Sequence, residues 1–155
     1  MVALCDEKSV YFLDFSDAPQ KDIKIKRLCQ KRTMTVVLGE TPSSIQLTKE
    51  LQGYFSGATQ TFLTPLSLTG TPFQEKVWQE LQRTSYGTTR SYGAQAAAML
   101  HPSACRAVAN ANGANLLSII IPCHRICQQT GDLGGYAGGR ARKKWLLDHE
   151  KKHAL

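Results

Sequence analysis

Two short apolar runs open the chain, Val2–Leu4 and Val10–Phe15, and the polar Asp6-Glu7-Lys8-Ser9 between them marks a β-hairpin. Gln20 to Arg32 sets Ile23, Ile25 and Leu28 among six basic residues, and with Pro19 before it this stretch reads as a helix. Met34 to Leu38 is β-branched and predicts a third strand. After Thr41-Pro42-Ser43 a second helix runs to Phe55, with Ile45, Leu51, Tyr54 and Phe55 near one face and Gly57 as its stop.

Residues 64–70, Thr-Pro-Leu-Ser-Leu-Thr-Gly, have no helical period and read as a linker, dividing the chain into 1–66 and 67–155. Beyond it, Thr71-Pro72-Phe73-Gln74 combines an N-cap, a proline at the first helical position and a glutamine in the capping-box place. Phe73, Val77 and Leu81 recur along one face, and this helix is predicted to end at Tyr86-Gly87. Ser91 caps a helix through Leu100 and Ser103 caps another through Ala111, with only His101-Pro102 between them, the spacing of a helix-turn-helix. The second of these is rich in small residues (Ala104, Cys105, Ala107, Ala109, Ala111), with Arg106 in its first turn. Such a helix can approach a surface closely; an alanine-rich buried helix with a snorkelling arginine has the same composition. Ser118 to Ile121 has the pattern of a short buried strand. The expected fold class is α/β (α+β), with a small N-terminal lobe of antiparallel sheet and helices and a C-terminal helical lobe carrying the helix-turn-helix.

With 155 residues, 42% hydrophobic and 20% charged, the chain can bury a core. Its longest apolar stretch, Leu116 to Ile121, is far short of the roughly 20 residues needed to span a bilayer. Asp6 and Glu7 stand where a secretory leader would be basic and then apolar, and no lipidation signal is visible. Nineteen basic against twelve acidic residues give a net charge of +7, which favours a polyanionic partner, nucleic acid first. Five irregularly spaced cysteines suit a reducing compartment, cytoplasmic or, in a eukaryote, nuclear, and leave at least one thiol free.

The chemistry converges on Pro122-Cys123-His124-Arg125. A thiol followed by imidazole and guanidinium sits in an electropositive setting that favours the reactive thiolate. Adjacent side chains on an extended chain point apart, so a turn or a bridging water is needed to couple Cys123 to His124. A buried structural cysteine beside a satisfied histidine would carry the same residues.

Residues 119–125, the glycine-rich run from Gly131 to Gly139 and the helix ending Trp145-Leu146-Leu147-Asp148-His149-Glu150 closely resemble the O6-alkylguanine-DNA alkyltransferase family. Phe73-Gln74, Val77-Trp78, Ser91-Tyr92, Arg106-Ala107-Val108 and Asn115 match in order, so the resemblance covers about residues 70–150. It implies that Cys123 takes the alkyl group of O6-alkylguanine, with O4-alkylthymine a second substrate, in one irreversible displacement. His124 would accept the thiol proton through a water, Glu150 would orient the imidazole, Asn115 would brace the turn, and Tyr92 would help protonate the departing base. Arg106 would fill the space left by a flipped nucleotide, with Ala104, Ala107, Ser91 and Arg125 also at the DNA, in a minor groove about 6 Å wide. Tyr136, Ala137, Gly138, Ile126 and Pro122 would form the alkyl and base pocket.

The implied partner is double-stranded DNA containing O6-alkylguanine, bound by a monomer without cofactor, metal or membrane. Ala137 departs from family members with a serine there, leaving only a backbone N–H to donate. Cys5 and Cys29 have no histidine before His101, so no zinc site is expected in the N-terminal lobe. Cys127 is expected to be incidental, and the first strand begins so near Met1 that the sheet is expected to lack an outer portion. Two other functions compete. A lesion sensor or transcription regulator would use the helix-turn-helix without transfer, but non-transferring relatives lack the cysteine. A thiol hydrolase would use Cys123 and His124 with turnover.

Overall fold

The computed structural model describes residues 1–154 and has the expected mixed α/β architecture. Strands β1 (Val2–Cys5) and β2 (Val10–Asp14) form the predicted antiparallel hairpin, with Val2 opposite Asp14 and an irregularity between Leu4 and Cys5. Helix α1 (Lys21–Arg32) ends at Thr33 in the left-handed conformation. Helix α2 (Pro42–Ser56) starts with a reciprocal capping box between Thr41 and Ser44 and stops at Gly57, φ 80°. Val10, Phe12, Leu13, Leu28, Leu47 and Tyr54 are buried and form the core of this unit.

Two expectations fail here. Met34 to Leu38 is not a strand: Val37 and Leu38 are 82% and 103% exposed. The edge of β2 at Val10 is taken instead by residues 65–67, through Val10 N–H to Pro65 O and Ser67 N–H to Val10 O, both 2.9 Å. On α2 the buried positions are Ser43, Leu47 and Tyr54, while Ile45 and Phe55 face solvent.

The compact units are Met1–Thr69 and Gly70–Leu155, a boundary three residues beyond the expected one. The cause is Arg32, whose guanidinium donates to Ser67 Oγ (2.8 Å), Leu68 O (2.9 Å) and Thr69 Oγ1 (2.8 Å) and so ties the supposed linker to α1.

The second unit begins with α3 (Pro72–Leu81), whose Thr71–Gln74 capping box forms as predicted. The helix stops at Leu81 rather than Tyr86, because residues 82–84 tighten into turns, with Thr84 N–H on Leu81 O. Strand β3 (Arg90–Ser91) pairs in parallel with β4 (Ile126–Cys127), and α4 (Tyr92–Ala98) follows at once, its Ala94 N–H donating to the Ser91 hydroxyl at 3.0 Å. A 3₁₀ turn, Pro102–Ala104, then leads into α5 (Cys105–Gly113). Ser103 therefore lies inside the turn and does not cap α5, which has no side-chain cap. Trp78 anchors α3 to α5 by donating Nε1–H to Ala111 O at 2.8 Å. The buried amides of Gln95 and Asn112 bond reciprocally, at 2.8 and 3.1 Å, and lock α4 to α5. The last helix is α6 (Arg140–His153).

Residues 118–121 are buried as predicted but form a tight turn, not a strand. Ile121 N–H donates to Leu117 O at 3.0 Å, and Ile119 adopts φ 73°, a left-handed conformation costly for a β-branched residue. Leu100 shares that strain at φ 61° but is 86% exposed.

These two positions give opposite expectations for glycine. Leu100→Gly removes about 1–2 kcal/mol of left-handed strain against about 0.5–1 kcal/mol of added chain entropy, so it is expected to raise the urea midpoint. Ile119→Gly relieves similar strain but deletes a buried side chain worth roughly 2–5 kcal/mol, and its midpoint is expected to fall. A lower midpoint for Leu100→Gly would show that the exposed leucine is held by contacts that compensate its backbone.

Candidate active site

The turn at 117–121 exists because a side chain closes it. Asn115 Oδ1 accepts from Leu117 N–H at 2.9 Å, and its Nδ2 donates to Ile121 O at 2.9 Å. The same amide nitrogen lies 3.3 Å from Cys123 Sγ, so the residue that fixes the turn also offers N–H to the sulfur. Cys123–Arg125 is itself one 3₁₀ turn, which supplies the change of direction that an extended chain lacks.

His124 is fully buried, and its Nε2 is 2.8 Å from Glu150 Oε1 on α6. Glu150 is equally buried and receives two further bonds from Arg125, Nε to Oε2 at 2.8 Å and Nη2 to Oε1 at 3.0 Å, plus Gly87 N–H at 3.2 Å. Burial alone would raise the Glu150 carboxyl, but the His124 and Arg125 hydrogen bonds outweigh it and hold the group down at about 2. An ionised Glu150 accepts the Nε2 proton, which leaves the lone pair of neutral His124 on Nδ1. That atom is buried without a protein hydrogen-bond partner. Burial lowers the imidazole below its ordinary value, Glu150 opposes that shift, and Arg125 adds to it. The ring is thus a neutral base with its accepting nitrogen uncommitted.

A cavity of about 380 Å³ opens over Cys123. Tyr92 from α4, Gly134 to Ala137 from the glycine-rich loop, Gln128, and Ala109, Asn110, Asn112 and Gly113 from α5 line it. Burial, then the Cys123 and Cys127 thiols, push the Tyr92 hydroxyl above its usual value, so it stays protonated and able to donate.

The structure therefore brings Cys123, Tyr92, Tyr136 and Ala137 to one cavity, with His124, Glu150 and Asn115 set around the cysteine. Gly138, Ile126 and Pro122 do not line it; Ile126 is buried in β4. Arg106 and Ala107 are exposed on α5, Ala104 ends the 3₁₀ turn, and the Ser91 hydroxyl caps α4. Arg125 is a correction: it is only 7% exposed, and its guanidinium is engaged by Glu150 and by Thr84 O at 2.6 Å, so it is not presented to a phosphate. Sequence reasoning missed the Gln95–Asn112 pair, Gln128 and Lys143. Lys143 stands three residues before Leu146 and seven before Glu150 on the buried face of α6, a helical spacing that could have marked it among its basic neighbours.

All five cysteines are free thiols. Among the described residues no group of three or more His, Cys, Asp or Glu side chains could hold a metal ion, and no helix is long and apolar enough to cross a membrane.

Residues 72–152 match the family model described as 6-O-methylguanine DNA methyltransferase, DNA binding domain. The constitutive methylated-DNA–protein-cysteine methyltransferase of Bacillus subtilis is 49% identical over 113 residues, 72% of this chain and 68% of that protein. The Salmonella typhimurium methylated-DNA–protein-cysteine methyltransferase is 49% identical over 105 residues, 67% of this chain and 61% of that one. Among solved structures, Mycobacterium tuberculosis OGT in complex with DNA superposes with a TM-score of 0.84 at 34% identity, covering 98% of this chain and 86% of the other. A family model spanning more than half the chain, and likeness in both sequence and fold, lead to one conclusion: this chain belongs to the 6-O-methylguanine DNA methyltransferase family.

Proposed function

We propose that the protein repairs DNA by taking the alkyl group of O6-alkylguanine onto Cys123 in a single irreversible displacement. The observation that carries this reading is the cavity over Cys123 combined with a neutral His124 whose Nδ1 has no protein partner. The thiol proton passes through one water to Nδ1, and Glu150 stabilises the imidazolium that results. Sγ then attacks the alkyl carbon, the carbon–O6 bond breaks, and the Tyr92 hydroxyl donates to the departing base to offset its developing negative charge. Asn115 holds the turn and favours the anionic sulfur. The product is an uncharged thioether without a good leaving group, and no step restores the thiolate.

In-line attack at that carbon is blocked inside a base stack, so the nucleotide must leave it. The exposed Arg106 on the small-residue helix α5 supports minor-groove entry, with the arginine filling the vacated space. Duplex DNA is the proposed partner and no cofactor takes part. O4-alkylthymine is a proposed second substrate, and the acting species a proposed monomer.

Incubation with a duplex containing O6-methylguanine is expected to add one methyl group per chain, mapped to Cys123. Cys123→Ser is expected to bind DNA and gain nothing, because a serine hydroxyl is a far weaker nucleophile than a thiolate. Several groups removed per molecule, or methyl on Cys127, would overturn the acceptor reading.

Arg106→Ala is expected to slow transfer from duplex DNA far more than from free O6-methylguanine base, which has no stack to leave. Unstacking costs a few kcal/mol, so the difference can reach orders of magnitude, about tenfold for each 1.4 kcal/mol. Equal losses on both substrates would remove the finger role.

Acid is expected to weaken the fold in two stages. His124 is held below its unfolded value near 6.5, so its contribution is complete above that pH and is lost as the unfolded chain takes up the proton first. Glu150 adds a second loss from 4.5 down to about 2. Melting temperatures measured from pH 8 to pH 3 test this, and His124→Asn is expected to flatten the upper stage and, because His124 also holds Glu150 down, to shrink the lower one. A wild-type midpoint unchanged between pH 7 and pH 5 would contradict a buried neutral imidazole.

A further inference from the structure

One buried charge of the second unit takes no part in the proposed transfer. Lys143 on α6 is 0% exposed. Its Nζ donates to Ile126 O and, at 3.2 Å, to Gly135 O. Among the described residues no carboxylate pairs with it. One ammonium thereby bonds two separate segments: Ile126 lies on β4, three residues past Cys123, and Gly135 is part of the cavity wall.

We propose that Lys143 is a positioning residue for the acceptor thiol, clasping the cavity wall to β4 while its ammonium supplies the positive field that favours Cys123 as thiolate. The inference rests on the reading of Cys123 as the alkyl acceptor. A buried ammonium without a counter-ion is costly, and two carbonyl dipoles compensate it only in part. Burial pushes the Lys143 ammonium down from its ordinary value, while the Cys127 and Cys123 thiols push it back up. Coupling between two titrating groups is reciprocal, so a thiolate that keeps Lys143 charged is itself favoured by that charge.

Before the thiol proton moves, the charged groups of the relay bring no net positive charge and Asn115 offers only an N–H dipole; His124 turns cationic only by taking that proton. Glu150 and Arg125 neutralise each other and His124 is neutral. Tyr92 stays protonated, and Asp132 and Arg140, which act on Lys143 in opposite directions, pair with each other at 2.9 Å. Cys127 competes for the same cation, its effect on Lys143 exceeding that of Cys123, so the two thiols must be separated experimentally.

The test uses the full chain with Cys127→Ala as background and iodoacetamide as probe. Its reaction forms a sulfur–carbon bond as the carbon–iodine bond breaks and iodide leaves, so its pH dependence reports the Cys123 thiolate, read by peptide mass. Lys143→Met is expected to move the midpoint up by about one pH unit and to slow labelling below it about tenfold, while Lys143→Arg keeps both near wild type. A folded Lys143→Met whose midpoint does not move would overturn the proposal. Should that variant fail to fold, carbon NMR titration of the Lys143 side chain decides the matter. Its midpoint is expected to be lower in Cys123→Ser than in wild type, and equal midpoints would overturn the proposal. If Lys143→Met shifts the midpoint but the wild-type chain takes no methyl group from O6-methylguanine DNA, the coupling is supported and only the acceptor reading falls.

Discussion

The second unit is organised around one buried carboxylate. Glu150 receives four donors: the His124 imidazole, two nitrogens of Arg125 and the backbone of Gly87. Those donors come from the 3₁₀ turn after the cysteine and from the loop that follows α3, so one charge on α6 joins three parts of the chain. Burying a carboxylate costs several kcal/mol, and removing Arg125, its ionic partner, would leave an uncompensated charge costing about 3–5 kcal/mol. The site is therefore cooperative: the groups that assemble the chemistry also hold the local fold.

Arg125 sets the character of the base. A lone carboxylate beside a histidine would favour the imidazolium and leave no basic nitrogen. With Arg125 bonded to both oxygens, the anion is already neutralised and burial keeps the ring uncharged. Glu150 then fixes the tautomer, and its charge stabilises the proton only once His124 has taken it. The arginine placed beside the histidine in sequence thus acts inward on the relay.

How much of this was legible follows from how local each determinant is. The Thr71–Gln74 capping box, the hairpin and the Ser91 cap are decided by residues within a few positions of one another, and they appear where the pattern puts them. Met34 to Leu38 has strand composition but no sheet edge to join, since residues 65–67 occupy β2 at Val10, and that competition is non-local. Ser118 to Ile121 is apolar because it is buried; its turn depends on Asn115, whose side-chain bonds outweigh β propensity. The inward roles of Arg125 and Lys143 are not legible in the sequence for a related reason. Charged residues are expected outside, and only tertiary partners reveal the exceptions. The thiol, its histidine and the glutamate were legible through resemblance, whereas the tautomer and the uncommitted Nδ1 needed coordinates.

The cavity is built in part on α5. Arg106 stands in the first turn of that helix, and Ala109, Asn110, Asn112 and Gly113, all lining the cavity, follow within two turns. At about 1.5 Å per residue the proposed finger and the cavity wall are separated by roughly 5–10 Å along one rigid element. A nucleotide displaced by the proposed finger would have that short path to the cavity, its length fixed by helix geometry rather than by a loop. The Gln95–Asn112 amide pair holds the rotation of α5 against α4, and α4 also carries Tyr92. Two buried amides, each satisfying the other, thereby keep α5 and its Arg106 in register with Tyr92. Breaking the pair on one side would leave an unpaired buried amide and loosen that register, without touching any atom that reacts.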